Sequence, residues 1–143
     1  MLEKKLLDLI KIYSEQMEEI MEDEENIDKV DEIYANYIGA YEQLLSIDFI
    51  KYAEEVANEY YLLADFYVQY KEDIEKAIEV SNKKLEIYKK LAEYDEKYID
   101  EVGYCYIEIA EIYENADIKK EANDMYELAR KINPQKFLLP QRQ

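Results

Sequence analysis

The chain has very few of the residues that interrupt helices. Its 143 residues include only two glycines and two prolines. A β or α/β fold of this length needs many more turn residues of these two kinds, because each short strand is followed by a turn. Glu, Lys, Leu, Ile, Ala and Tyr dominate instead, and most of them are good or neutral helix formers. The sequence therefore predicts an all-α protein.

Histidine and tryptophan are absent, and Cys105 is the only cysteine. A lone thiol without histidine lacks the base that nucleophilic catalysis requires, and no glycine-rich phosphate loop is present. Carboxylate-bridged metal bundles use Glu-x-x-His pairs, and residues 22–28 lack the glycine and spacing of a calcium loop. We therefore expect no enzymatic activity, metal ion or cofactor. One cysteine permits no intrachain disulfide, which favours a reducing compartment such as the cytoplasm.

Positive charge is scarce, since 18 Lys and Arg stand against 35 Asp and Glu, for a net charge of −17. Such an excess repels phosphate backbones and anionic lipid headgroups. No apolar run approaches the ~20 residues of a membrane-spanning helix, and residues 1–13 are too acidic and too regularly amphipathic for a signal peptide. We therefore expect neither nucleic acid nor a membrane as the partner.

Apolar residues recur every three or four positions in six segments that short polar stretches separate, which predicts six helices. Asp28 and Asp73 are placed to cap the second and fourth helices, Ser46 or Asp48 the third, and Asn133 with Pro134 should end the sixth. Short connections make neighbouring helices antiparallel. We predict a single domain, residues 1–133, of three helical hairpins at about 1–45, 46–94 and 95–133, followed by a tail at 134–143.

Eight residues in the last hairpin alternate large and small side chains at fixed helical spacing: Tyr106, Ile109, Ala110, Tyr113, Ala122, Tyr126, Ala129 and Pro134. This pattern resembles the tetratricopeptide repeat (TPR) family, most clearly over residues 103–134. Its physical basis is close packing, because two helices approach most closely where small residues face large ones. The middle hairpin repeats the first-helix pattern from Tyr60, but its second-helix residues Ala77 and Ser81 follow one residue late.

The resemblance implies a right-handed solenoid of stacked hairpins whose first helices line a concave, peptide-binding groove. Carried across residue by residue, the groove positions are Asn58, Tyr61, Asp65, Val68, Gln69, Tyr104, Ile107, Glu111, Glu114 and Asn115. None of these is cationic, so the carboxylate-gripping groove known in the family is not expected. Acidic, amide and aromatic side chains predict a basic or mixed basic-apolar protein or peptide ligand, with tyrosine faces available for cation–π contact.

Two functions remain open from the sequence. The first is an interaction scaffold without chemistry of its own. The second is a structural protein that self-associates as a homodimer, through its hairpins or through the apolar tail residues Phe137, Leu138 and Leu139. In an unrelated helical bundle, most tyrosines would be core residues and no groove would form.

Overall fold

Six α-helices account for most of the computed structural model, which describes residues 1–21 and 27–137. They are α1 (Leu2–Met21), α2 (Ile27–Ile47), α3 (Phe49–Gln69), α4 (Ile74–Tyr94), α5 (Ile99–Asn115) and α6 (Lys119–Ile132). A single 3₁₀ turn, Glu96–Tyr98, precedes α5, and the described ranges contain no β-strand. The prediction of an all-α protein is confirmed. None of the helices in these ranges has the length and hydrophobicity that crossing a membrane requires.

Most of the predicted helix ends are confirmed. Asp48 accepts a hydrogen bond from the Lys51 backbone N–H at 3.2 Å, and Asp73 accepts one from the Lys76 N–H at 3.1 Å. The capping role predicted for Asp28 is wrong, because α2 begins at Ile27 and Asp28 lies inside its first turn. A carboxylate there still meets the positive end of the helix dipole.

The chain forms two compact units, Met1–Glu59 and Tyr60–Gln143, with the boundary inside α3. In the first unit, α1 packs against α2 and contributes Leu6, Ile10 and Met17 to the buried core. These residues recur at the three-to-four spacing of one helix face, so the buried stripe of α1 is the one that its sequence pattern indicates.

Polar contacts hold the first part of α3 against both other helices of the first unit. Tyr41 of α2 donates to Glu55 Oε1 at 3.1 Å. Glu3, near the start of α1, pairs with Lys51 at 2.8 Å and accepts a hydrogen bond from the Tyr52 hydroxyl. α1 and α3 therefore begin next to each other.

In the second unit, α5 packs against both α4 and α6. Its core joins residues of α4 and α5, namely Ile78, Leu85, Val102, Cys105 and Ile109. Ala110 of α5 lies in a second cluster with Ala122 and Tyr126 of α6. Ala110, Ala122 and Ala129 are fully buried, so small residues occupy the places where close approach was expected.

The α3–α4 and α5–α6 turns explain why the middle hairpin pattern is one residue late. Four residues, 70–73, separate α3 from α4, whereas three, 116–118, separate α5 from α6. Each turn contains one residue in the left-handed region, Glu72 with φ 50° and Asp117 with φ 61°. A fully buried alanine follows five positions later in each case, Ala77 and Ala122. The extra residue therefore lies in the turn.

After α6, the chain turns back and covers the start of α5. Asn133 Oδ1 accepts hydrogen bonds from the backbone N–H groups of Gln135 and Lys136. Phe137 is buried and packs edge-on against Tyr104, with ring centroids 5.1 Å apart. A Cβ atom at Gly103 would lie 2.6 Å from the Phe137 ring carbon Cζ, so a larger residue at this position would displace the ring. Phe137 thus docks on its own hairpin, and Leu138 and Leu139 lie outside the described residues.

Candidate functional site

A cavity of about 240 Å³ in the second unit is the candidate site, and it is lined by α3, α4 and α5. Its lining residues are Tyr61, Ala64, Asp65, Val68, Gln69, Ser81, Glu108, Glu111, Ile112 and Asn115. Those of α3 and of α5 each recur at intervals of three or four, as residues on one helix face must. One face of α3 and one face of α5 therefore form its walls.

Six of the ten groove residues predicted from the sequence line this cavity: Tyr61, Asp65, Val68, Gln69, Glu111 and Asn115. Most of them are exposed, including Asp65 and Glu111. Their carboxylates can therefore be reached from solvent.

The other four predicted residues do not line the cavity. Ile107 packs against the Ala110 cluster between α5 and α6, and the Tyr104 ring packs against the Phe137 ring. Glu114 is exposed, and its charge acts on Glu111. Asn58 is exposed in the first unit. The face of α5 that lines the cavity therefore contains Glu108 and Ile112, while Ile107 packs toward α6.

Glu108 and Ile112 occupy the positions on α5 that sequence reasoning missed, and Ser81 is the contribution of α4. Glu108 and Ile112 lie one turn apart and next to Glu111, so a small rotation of the predicted face would have included them. Ser81 carried a usable signal, since it is a small polar residue on the otherwise apolar face of α4. It is the only buried polar residue in the described part of the chain, at 5% exposure.

Lys84 of α4 lies beside the cavity and is held by two of its residues. Its Nζ is 2.8 Å from both carboxylate oxygens of Glu108 and 4.8 Å from the centroid of the Tyr61 ring. The Lys84 side chain is only 13% exposed. The tyrosine face that the sequence analysis offered to a ligand cation is therefore already in contact with a cation of the same chain.

The charges in and next to the cavity do not balance. Asp65, Glu108 and Glu111 are three carboxylates against the one ammonium of Lys84, which leaves a net charge of −2. Within residues 1–21 and 27–137, neither Asp65 nor Glu111 has an ion-pair or hydrogen-bond partner for its side chain. Burial, followed by the charges of Glu108 and Glu114, raises the pKa of Glu111 above its ordinary value. The cavity is therefore a site where added positive charge is favourable.

Ser81 adds a hydrogen-bonding group to the cavity lining. Its hydroxyl can both donate and accept a hydrogen bond, so a polar ligand atom that entered the cavity could bond to it. The same ranges contain no group of three or more Asp, Glu or Cys side chains that could hold a metal ion.

A scan against protein-family models finds none that matches the chain. A search of curated proteins likewise finds no match.

Proposed function

We propose that this protein is a non-catalytic interaction module that binds a basic or mixed basic-apolar peptide segment in the cavity of its second unit. One observation carries the proposal. Asp65 and Glu111 line a single cavity from two different helices, and the described part of the chain supplies a partner to neither. Charged groups across an interface are arranged to complement each other, so a cation from another molecule is the partner that this site suits.

The size of the cavity supports a side chain as the bound group. At about 240 Å³ it is smaller than the roughly 300–1,000 Å³ of sites that hold drug-sized ligands or cofactors. Ala64, Val68 and Ile112 supply apolar surface among the polar lining residues. A lysine or arginine side chain has a matching composition, because its apolar stem can pack while its charged head meets carboxylates.

We infer a TPR-like right-handed solenoid of one domain as the scaffold from the repeat pattern of residues 103–134, and contacts within each unit, taken separately, are compatible with it. In the first unit α1 and α3 begin side by side through Glu3 and Lys51, and in the second unit α3 and α5 wall the same cavity. Neighbouring first helices are what stacked hairpins require. We also propose that the protein is cytoplasmic, since its single cysteine, Cys105, is a free thiol, the form that a reducing compartment maintains.

Reversing the two unpaired charges tests the proposed site. The probes are fluorescein-labelled nine-residue peptides with one or two arginines or lysines among alanine, valine and glycine, and binding is measured by fluorescence anisotropy. The double variant Asp65→Lys with Glu111→Lys should bind the best of them about 100-fold more weakly, because truncating or reversing a paired charge costs about 2–5 kcal/mol.

The matched control is Glu79→Lys with Glu93→Lys. Both glutamates are exposed residues of α4 and lie outside the cavity lining, while the change in net charge is the same. Its affinity should stay close to wild type. An equal loss in both double variants would reduce the effect to overall charge, and failure of every basic peptide to bind the wild-type protein would refute the proposal.

Self-association is the second candidate function, and the outer surface of α1 favours it. Leu2, Leu9 and Ile12 are 58%, 40% and 48% exposed, and they fall on one side of the helix. If they form a dimer interface, sedimentation should show a mass that rises with concentration in the wild type and not in a Leu9→Glu, Ile12→Glu variant. A constant monomer mass, with or without residues 134–143, would eliminate this candidate.

A further inference from the structure

We propose that Lys84 is a built-in competitor that withholds Glu108 and the Tyr61 ring from an incoming cation, and that this cation is the guanidinium of an arginine side chain. The inference rests on the proposed function and specifies its ligand. It starts from the position of Lys84, whose ammonium touches Glu108 and Tyr61. A lysine side chain of a ligand would make the same two contacts if Lys84 were absent.

The contact between Lys84 and Glu108 is well held. The ammonium donates to both oxygens of one carboxylate at 2.8 Å, and both side chains are partly removed from solvent, at 13% and 30% exposure. Charge-assisted hydrogen bonds of this length are about twice as strong as neutral ones. An incoming cation would have to break them to reach Glu108, so Glu108 is in effect occupied.

The part of the cavity that remains is rich in hydrogen-bond acceptors. It contains the carboxylates of Asp65 and Glu111, the amides of Gln69 and Asn115, and the hydroxyl of Ser81. A guanidinium offers five N–H donors in a plane, whereas an ammonium offers three around a point. Several acceptors on two helix faces are better used by the group with more donors, which favours arginine over lysine.

Lys84 also lowers the positive charge that the cavity favours. One arginine would balance Asp65 or Glu111 and a second would balance the other, whereas Glu108 is already balanced by Lys84. Removing the Lys84 ammonium would free the Glu108 carboxylate and remove one repelling charge. A peptide with two adjacent arginines should gain more from this change than a peptide with one.

The variant Lys84→Met tests this inference, because methionine keeps an apolar stem of similar length and removes the ammonium. Two peptides serve as probes, one with a single arginine and one with an arginine pair, both in the same Ala, Val and Gly sequence. We expect Lys84→Met to strengthen binding of the pair about tenfold and binding of the single-arginine peptide about threefold or less. Lys83→Met is the control, since it removes the same charge from the adjacent position of α4, where Nζ lies 5.8 Å from the Tyr60 ring and outside the cavity lining.

A second variant approaches the same contact from the other side. Glu108→Gln leaves the Lys84 ammonium without its carboxylate and should weaken binding of both peptides about tenfold, with the larger loss for the arginine pair. It keeps the result interpretable if Lys84→Met lowers the stability of the second unit, which thermal unfolding would reveal.

The outcomes separate the two proposals. Measurable binding of the single-arginine peptide to the wild type, with an unchanged ratio of the two affinities in both Lys84→Met and Glu108→Gln, would overturn the inference and leave the proposed function standing. Tighter binding of a single-lysine peptide than of its arginine counterpart would overturn the choice of guanidinium. The absence of binding to any of these peptides in wild type and variants would overturn both.

Discussion

The α2–α3 interface of the first unit and the cavity of the second unit both combine tyrosines with acidic residues. In the interface the tyrosines donate to the carboxylates, whereas in the cavity the described tyrosines do not. At the interface, the buried Tyr41 hydroxyl donates to Glu55 at 3.1 Å. Burial raises the pKa of Glu59, and a hydrogen bond from Tyr37 partly opposes that rise. In the cavity, no tyrosine of the described residues donates to a carboxylate, and the Lys84 ammonium lies over the Tyr61 ring.

The electrostatic consequences differ accordingly. Burial raises the pKa of the Tyr37 phenol to about 12, with a further contribution from Glu59, and burial also raises the pKa of Tyr41. The interface therefore keeps its phenols protonated as donors to its own carboxylates. The comparison teaches that the same residue types can satisfy one another inside a fold, as at the α2–α3 interface, or leave carboxylates available, as in the cavity.

Removing the donors of the first unit should give the largest effect on stability. The double variant Tyr37→Phe with Tyr41→Phe leaves Glu55 and Glu59 without hydroxyl donors, at a cost of about 1 kcal/mol for each hydrogen bond. We expect the free energy of unfolding in urea to fall by about 2 kcal/mol. Tyr61→Phe, which removes an exposed hydroxyl in the cavity, should change it by less than about 0.5 kcal/mol. Equal losses would abolish the distinction between the two regions.

Near its start, α5 has no free space beside Gly103, because the Phe137 ring lies there, whereas the cavity lies farther along the helix. Gly103→Val places side-chain atoms where the Phe137 ring lies and should displace it, which costs about 1–2 kcal/mol in lost burial. The same substitution in a Phe137→Ala background should cost much less. Peptide binding should be unchanged, because the cavity begins at Glu108 on this helix; weaker binding would contradict the separation of the two sites.

The pH dependence of binding tests whether Glu111 is a ligand group. Its pKa is raised, so protonation begins above its ordinary value of 4.5 as the pH falls, and each protonated molecule loses one acceptor charge while Lys84 keeps its own. Affinity for a single-arginine peptide should decrease about tenfold between pH 7 and pH 4.5, equivalent to about 1.4 kcal/mol. Glu111→Gln should bind weakly at all pH values in this range. A wild-type affinity that is constant with pH would exclude Glu111, leaving Asp65 and Glu108 as the acidic groups of the site.

The smallest expected effect is a gain in stability from the loss of a binding residue. A raised pKa in the folded state means that ionisation of Glu111 opposes folding, so Glu111→Gln should raise the free energy of unfolding at pH 7 by a few tenths of a kcal/mol after solvent screening. The gain should disappear as the pH falls through the folded-state pKa, where wild-type Glu111 is also neutral. Denaturation at pH 7 and pH 4 would check it. No gain at pH 7 would show that Glu111 is not under electrostatic strain.

Helix positions and two caps followed from the sequence because they depend on neighbouring residues. Asp48 and Asp73 each precede an apolar run and accept the N–H three residues later. Asp28 has the same sequence context, but α2 begins one residue before it, where the sequence carries no distinct signal. Local pattern thus placed the helices to within a residue or two.

The predicted residues coincide with the cavity lining more closely on α3 than on α5. All four residues predicted on α3 after Asn58 line the cavity, whereas on α5 Glu108 and Ile112 line it and Tyr104 and Ile107 do not. α5 packs between α4 and α6, so its orientation balances two interfaces. The contact of Lys84 with Glu108 depends on the register of α4 against α5, 24 residues apart in the chain, and no local pattern encodes it.

The left-handed residues Glu72 and Asp117 have a consequence for how this chain tolerates changes in length. A residue inserted within a helix rotates every later side chain by about 100° about the axis, which would expose the buried face of α4. The extra residue of the α3–α4 turn has no such effect, because Ala77 remains as deeply buried as Ala122. A difference of one residue is therefore absorbed in the turn, and the α3–α4 and α5–α6 hairpins both keep a fully buried alanine at the same place in the second helix.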